Sequence, residues 1–296
     1  MTTTQGAATR APIAFTILPE APAALGESPV WDEANGVLWW VDIDGHTVRR
    51  TDPDGGATRA WPAPETPGFV VPTRLGLPAV GMETGIFLFD PRTATFERVV
   101  RLDQTGVRFN DATVDWTGRL WAGTLSMTPP EPVGVLYAIG ADRQPRPVVA
   151  DLYTPNGLAA DPARRRLYLA DSHPDRQAVW ILDLDATAWP TTAERRPFAS
   201  MKDLAGRPDG AALDSDGNYW CAAVGGGRAI HVFAPDGALL RTVPVPALHP
   251  TKPAFGGPAR NRLYLTSKGG PAPDGALAVA DLAGVTGAPV VPWDLG

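Results

Sequence analysis

The chain is poor in the residues on which several protein classes depend. Its single cysteine, Cys221, excludes an intramolecular disulfide, and its four histidines show no metal-binding spacing. Cys221 lies in the apolar run of residues 219–224, which predicts a packed, buried thiol rather than a nucleophile. The formal net charge is −6 and no basic run occurs, so neither nucleic acid nor an anionic membrane surface is an expected partner.

Long hydrophobic runs are also missing. No apolar stretch approaches the roughly 20 residues that span a bilayer, and the N-terminus has no apolar segment of the kind found in signal peptides. We therefore expect a soluble, cytoplasmic protein without a membrane partner. Residues 1–11 are expected to form a flexible tail, and residues 12–296 a single domain.

Glycine, proline and tryptophan, in contrast, are plentiful. The 31 glycines and 32 prolines fall between short apolar runs, and most of the 10 tryptophans lie inside those runs. This pattern is typical of many short strands joined by turns. The runs also recur in a fixed order. An aromatic strand, such as residues 37–42 or 166–171, is followed by an alternating run, such as residues 47–52 or 178–183.

The repeat is about 40 to 50 residues long, which is the range of four-stranded propeller blades. Six copies of the alternating run fit the chain. The sequence therefore predicts an all-β fold, a six-bladed β-propeller of four-stranded blades. We expect an N-terminal strand at residues 13–18 to close the ring by joining the last blade beside residues 289–293.

Four oxygen-bearing side chains precede the recurring aromatic strand at nearly the same distance. They are Glu27, Asn110, Asn156 and Asp209. Equal offsets in a repeat mean equivalent positions, so these side chains are predicted to meet near the axis of the ring. Turn formation accounts for Asn156 and Asp209, each of which precedes a glycine, but not for Glu27. Carboxylate and amide oxygens converging on one point predict a site for a hard cation.

A cation lies close to this predicted site. Arg108 precedes Asn110 by two positions, so both side chains face the same side of an extended segment. A positive charge there suits a polyhydroxy or an anionic ligand. The sequence leaves open whether five further residues line the same pocket: His46, Glu131, His173, Arg228 and Lys252.

A series of short motifs carries a family resemblance. In order along the chain, these motifs occupy residues 25–31, 108–111, 118–124, 155–158, 208–210 and 251–257. Together they resemble the regucalcin (senescence marker protein)/gluconolactonase family, whose members are six-bladed propellers that hydrolyse sugar lactones. The resemblance implies that Glu27, Asn156 and Asp209 are metal ligands. It also implies that Arg108 and Asn110 contact the substrate.

One segment departs from the family pattern. The animal proteins carry acidic residues just after Ala-Gly-Thr, whereas this chain continues with residues 125–130, Leu-Ser-Met-Thr-Pro-Pro. Glu131 comes later and is not at the same place. We therefore expect a sugar specificity that differs from that of the animal enzymes.

These observations support a working hypothesis of divalent-metal-dependent hydrolysis of a sugar-derived lactone, an aldonolactone, to its aldonic acid. Asp209 is the candidate catalytic residue that orients or deprotonates the attacking water. Calcium is the favoured ion, and the oxygen ligands are also compatible with zinc, magnesium or manganese. The expected partner is a small-molecule sugar lactone, and the expected state is a monomer or weak homodimer.

Two alternatives keep the same fold. The first is a metal-dependent aryl-ester or phosphoester hydrolase, which an apolar rim formed by Trp40 and Met127 would favour. The second is a non-catalytic calcium- or sugar-binding propeller, in which the donors would enclose the ion and leave no position for water.

Overall fold

The computed structural model of the protein describes residues 12–18, 22–52, 57–128, 131–192 and 194–296. Every regular element in those ranges is a β-strand. Within the same ranges, no helix is long and apolar enough to cross a membrane. The predicted flexible tail at residues 1–11 lies outside the described residues.

The strands form six antiparallel sheets of four, arranged as the predicted six-bladed propeller. The first strand and the first two blades comprise β1 (Thr16–Ile17), then β2 (Gly26–Asp32), β3 (Val37–Asp42), β4 (Thr47–Thr51) and β5 (Thr58–Pro62), then β6 (Phe69–Pro72), β7 (Pro78–Gly81), β8 (Gly85–Asp90) and β9 (Thr95–Arg101). The third and fourth blades comprise β10 (Val107–Val114), β11 (Leu120–Ser126), β12 (Gly134–Ile139) and β13 (Pro145–Leu152), then β14 (Pro155–Asp161), β15 (Arg166–Asp171), β16 (Ala178–Asp183) and β17 (Arg196–Ser200). The last two blades comprise β18 (Arg207–Leu213), β19 (Tyr219–Val224), β20 (Ala229–Phe233) and β21 (Leu239–Pro244), then β22 (Pro250–Gly256), β23 (Arg262–Ser267) and β24 (Ala278–Asp281).

The N-terminal strand closes the ring. Strand β1 is the fourth strand of the sixth blade, where Thr16 lies opposite Val279 and Ile17 opposite Ala278 on β24. Closure by an N-terminal strand is thus confirmed, and it covers an edge of β24 that would otherwise be unpaired.

The predicted position of residues 289–293 beside that strand was wrong. This segment leaves the sixth blade and crosses the opposite end of the propeller. There Trp293 forms a parallel bridge with Thr73, and the Asp294 N–H donates to the Gly118 carbonyl at 2.9 Å. The physical reason is that two prolines in the segment lack the N–H groups that a strand ladder needs.

The aromatic pair recurs in the sequence because its indole has a fixed role. On the second strand of three blades, the buried tryptophan ring packs between blades while its N–H finds a carboxylate at the end of the first strand. The pairs are Trp39 with Asp32 at 3.3 Å, Trp121 with Asp115 at 2.7 Å and Trp220 with Asp214 at 2.9 Å. This arrangement fixes the C-terminal end of the innermost strand in each of the three blades.

Candidate active site

The predicted oxygen side chains lie on the innermost strands of four blades, β2, β10, β14 and β18. Five of the six innermost strands shift register at the same level. The shifts fall between Glu27 and Val30, Phe109 and Ala112, Asn156 and Ala159, Pro208 and Ala211, and Pro250 and Pro253. Bulges of this kind re-aim side chains. Strand β6 of the second blade pairs regularly and supplies none of the predicted residues.

The first pair brought together is Glu27 and Asp209. One Glu27 carboxylate oxygen accepts the Ser28 N–H at 2.8 Å. Ser28 takes a left-handed conformation with φ of 50°, which turns the chain at this point. The Asp209 side chain is only 6% exposed and accepts no hydrogen bond from any residue that the structure describes.

Burial and neighbouring charges raise the pKa values of both carboxylates. Burial raises the pKa of Glu27 to about 7, and the Asp111 carboxylate contributes further to this rise. Burial also raises the pKa of Asp209 well above its ordinary value, with Glu27 and then Asp111 as further causes. Three acidic groups therefore share one desolvated region, which favours a cation among them.

Asn156 has a defined orientation. Its Nδ2 donates to the Ser172 Oγ at 2.9 Å, and the Ser172 hydroxyl in turn donates to the Pro208 carbonyl. Because the Ser172 hydroxyl donates its proton to the Pro208 carbonyl, its oxygen accepts from the Asn156 Nδ2. The amide oxygen of Asn156 therefore points to the other side, toward the predicted cation site. Ser172 was missed in the sequence, where nothing distinguishes it from the other residues of its loop.

Arg108 and Asn110 form a chain that reaches Asn156. Arg108 Nη1 donates to Asn110 Oδ1 at 2.8 Å and to the Phe109 carbonyl at 2.9 Å. Asn110 Nδ2 donates to the Pro155 carbonyl at 3.0 Å and to Asn156 Oδ1 at 3.1 Å. Burial lowers the pKa of Arg108. Its Nε and Nη2 groups take no part in these hydrogen bonds. The two residues predicted to bind substrate are thus linked to a predicted metal ligand.

A buried ion pair beneath these residues was not predicted. Lys252 Nζ lies 2.5 Å from Asp111 Oδ1, and the two residues are only 7% and 3% exposed. Asp111 also accepts the N–H groups of Leu158 at 2.8 Å and Ala112 at 2.9 Å. The Lys252 stem lies against Gly210, where an added Cβ would come within 2.4 Å of it. Of the five residues left open by the sequence, Lys252 belongs to the site.

The other four are placed differently. His46, Glu131 and Arg228 are exposed. His173 is partly buried and stacks on Tyr153, with ring centroids 4.1 Å apart. None of these four hydrogen-bonds to Glu27, Asn156 or Asp209 among the described contacts.

The apolar rim that would favour an aryl ester is only partly present. Met127 is 46% exposed, but Trp40 is fully buried in the core. The Trp40 indole donates to Thr51 Oγ1 at 3.0 Å, within its own blade. Assigning Trp40 to the rim was therefore wrong, because its ring packs between blades.

The donor set fits a divalent cation. In the described part of the chain, no group of three or more His, Cys, Asp or Glu residues is arranged to hold an ion, so this donor set combines two carboxylates with the Asn156 amide. A buried carboxylate without a donor, such as that of Asp209, is costly unless a cation compensates it. Two carboxylates and one amide oxygen are the ligands that hard divalent ions prefer. The innermost strands of all six blades, with residues 288–291, line a cavity of about 140 Å³ next to these residues.

Known proteins share this arrangement of blades. Residues 25–269 match the family described as SMP-30/Gluconolactonase/LRE-like region. The chain is 37% identical to 6-deoxy-6-sulfogluconolactonase of Pseudomonas putida, over 83% of this chain and 84% of that one. It is 32% identical to L-arabinolactonase of Azospirillum brasilense, over 89% and 87% of the two chains.

A solved structure gives the same result. The crystal structure of a calcium-binding protein, regucalcin, from Agrobacterium tumefaciens superposes with a TM-score of 0.87 at 25% identity, covering 97% of this chain and 99% of that one. The resemblance seen in the motifs is confirmed, and this chain belongs to the SMP-30/gluconolactonase/LRE-like family.

Proposed function

We propose that the protein hydrolyses a sugar lactone to its open-chain hydroxy acid and depends on a divalent cation. Lactone hydrolysis is the activity named for the relatives from Pseudomonas putida and Azospirillum brasilense. The observation that carries the metal dependence is the Asp209 carboxylate, which is buried beside Glu27 without a donor from the described residues.

Glu27, Asn156 and Asp209 would hold the ion. We propose calcium, because all three donors are oxygens and the superposed regucalcin is a calcium-binding protein. When bound, a divalent ion supplies Lewis acidity and positive charge where the lactone carbonyl oxygen becomes negative. All of these residues belong to one chain, so a monomer is sufficient.

The remaining chemistry comes from the side chains. Asp209 orients the attacking water and accepts its proton as the new carbon–oxygen bond forms. The ring ester bond then breaks, and the departing ring oxygen takes the proton from Asp209 to become a hydroxyl group, which returns the carboxylate to its starting state. The free Nε and Nη2 groups of Arg108 donate to substrate oxygens, while Asn110 holds the Arg108 side chain and Asn156 in register.

Lactone hydrolysis by purified protein tests the proposal. Acid release from pentono- and hexonolactones would be followed with a pH indicator after chelation and again after adding back single divalent ions. We expect turnover only with metal, and a loss of about 100-fold or more in kcat for Asp209→Asn, because general-base catalysis contributes at least this much.

Asp216→Asn is the matched control. Asp216 is exposed and lies in the turn after β18, at the opposite end of the same blade, so the same substitution there should leave turnover unchanged. Metal binding without hydrolysis of any lactone would contradict the proposal and favour a binding module. Equal activity of the chelated and metal-loaded proteins would contradict the metal dependence.

The two relatives differ in the charge of the lactone that their names give. One acts on a sulfonated hexonolactone and the other on an arabinonolactone. Their identities to this chain, 37% and 32%, are too similar to choose between the two substrates. The substrate class must therefore be inferred from the residues around the site.

A further inference from the structure

We propose that Arg207 forms an anion-binding subsite next to Asp209, and that the preferred substrate is a lactone with an oxyanion substituent remote from its carbonyl. The proposal rests on the lactonase function proposed above and adds a substrate class to it. Sulfonate, phosphate and carboxylate substituents share the chemistry that a guanidinium recognises.

Arg207 is placed at the open end of the fifth blade. It is the first residue of β18 and lies opposite Val224, the last residue of β19. The loop after β19 begins with Gly225, whose φ is 81°. The Arg207 guanidinium lies against this glycine, because an added Cβ would be 3.0 Å from its Nη1. Arg207 is therefore held against the loop that follows β19.

The charge of this arginine has no partner among the residues that the structure describes. No hydrogen bond or ion pair joins its guanidinium to any of them. A guanidinium offers five donors in a rigid fork. The Nε is shielded from solvent, so the two terminal Nη groups are the donors that remain for a ligand oxygen.

The equivalent arginine of the third blade behaves differently. Arg108 stands two residues ahead of Asn110 as Arg207 stands two residues ahead of Asp209. Arg108, however, uses its Nη1 on the Phe109 carbonyl and Asn110 Oδ1. Of the two arginines at this position, only Arg207 makes no contact of this kind.

The electrostatics of the site agree with this assignment. Burial raises the pKa of Asp209, with Glu27 and Asp111 as further raising effects, whereas the charges of Arg207 and Lys252 lower it. Arg207 is thus near enough to act on the carboxylate that would hold the ion. Once Asp209 is engaged by a cation, the Arg207 charge is left for the substrate.

The spacing suits the far side of a sugar ring. Two residues of extended chain span about 6.6 Å, so the Arg207 backbone stands about that far outward from the Asp209 backbone. A lactone whose carbonyl lies at Asp209 would direct the substituent at the other end of its ring or chain toward Arg207. An oxyanion there meets the free donors of Arg207.

A matched pair of substrates tests the subsite. We would measure kcat/KM for gluconolactone and for the same lactone carrying a 6-phosphate or a 6-sulfonate, and in a third arm for a lactone with a terminal carboxylate. We expect the protein to prefer a charged lactone, and Arg207→Gln to lower the ratio of charged to neutral kcat/KM by about tenfold or more. Arg207→Lys should retain part of the preference, because it keeps the charge but not the fork.

Arg59→Gln is the control, since Arg59 is exposed on the outer strand of the first blade. A ratio that is unchanged in Arg207→Gln, or no preference by the unmodified protein for any charged lactone, would overturn the subsite while leaving the lactonase function intact.

A binding measurement keeps the two proposals separate. Calorimetry with 6-phosphogluconate and gluconate, which are not hydrolysed, should show an Arg207-dependent difference in affinity even if no lactone is turned over. Equal affinities would overturn the subsite.

Discussion

The ion pair between Lys252 and Asp111 offers the sharpest test of how the site is held together. The change is Lys252→Met, which keeps an unbranched stem of similar length against Gly210 and removes only the charge. It leaves the Asp111 carboxylate, 3% exposed, without its cation. Most of the expected effect is therefore electrostatic, with little contribution from packing.

The magnitude follows from the geometry. Opposite charges 2.5 Å apart attract by about 7 kcal/mol at an effective dielectric constant of about 20. The net loss is smaller, because Lys252 no longer has to be desolvated, and removing one partner of a buried pair costs about 3 to 5 kcal/mol. For a chain of this size that corresponds to a fall of roughly 10 °C in Tm.

Urea unfolding of the chelated protein, followed by tryptophan fluorescence, measures this free energy. The control is the double variant Lys252→Met/Asp111→Asn, in which no charge is left unpaired and most of the stability should return. If the single variant does not fold, recovery of folding in the double variant gives the same information.

Lys252→Met should increase metal affinity, although it lowers the stability of the chelated protein. The Lys252 charge lowers the pKa values of Glu27 and Asp209, so it acts on the same carboxylates that would hold the ion. Removing a positive charge there should strengthen cation binding, although the chelated protein is less stable. A loss below 1 kcal/mol, or weaker metal binding in a folded Lys252→Met variant, would refute this account of the pair.

Three further predictions concern other residues of the site. The raised pKa of Glu27, about 7 against an ordinary 4.5, means that the contribution of Glu27 to metal-free stability is greatest below pH 4.5 and is lost as pH rises through 7. Glu27→Gln should therefore raise stability at pH 8 by up to about 3 kcal/mol, and an unfolding curve that keeps its pH dependence would contradict this. Ser172→Ala removes the acceptor of the Asn156 amide, and calorimetric titration should show metal affinity falling by about 10- to 100-fold. An unchanged affinity would show that this hydrogen bond is not needed to orient the amide. Cys221 is fully buried, and burial raises its pKa to about 12, so a thiol reagent at pH 8 should label it only after unfolding; prompt labelling of the folded protein would show the prediction to be wrong.

The fold was predictable because its repeat has a local physical cause. A tryptophan such as Trp121 must bury its ring and also find an acceptor, and Asp115 at the preceding turn provides one. That requirement places a tryptophan 6 or 7 positions after an acidic residue in three blades, which a reader of the sequence can count. The path of residues 289–293 has no such cause within the repeat, since it depends on which carbonyl groups the opposite end of the ring leaves available.

The proposed metal ligands are marked in the sequence for a related reason, whereas their partners are not. Glu27, Asn156 and Asp209 recur at nearly the same offset, so the repeat itself marks them. Asp111 and Lys252 are 141 positions apart and belong to blades across the ring from each other. Neither their contact nor that of Ser172 with the Pro208 carbonyl is encoded in any spacing.

The unpredicted residues explain how one small region tolerates so many charges. Three carboxylates lie in one desolvated region: Asp111 contributes to the raised pKa of Glu27, and Glu27 and Asp111 contribute to the raised pKa of Asp209. Lys252 neutralises Asp111 directly, and a divalent cation would balance Glu27 and Asp209. With the carboxylates balanced, the guanidinium groups of Arg108 and Arg207 have no acidic partner among the described residues, and an anionic group on the substrate would complete the balance.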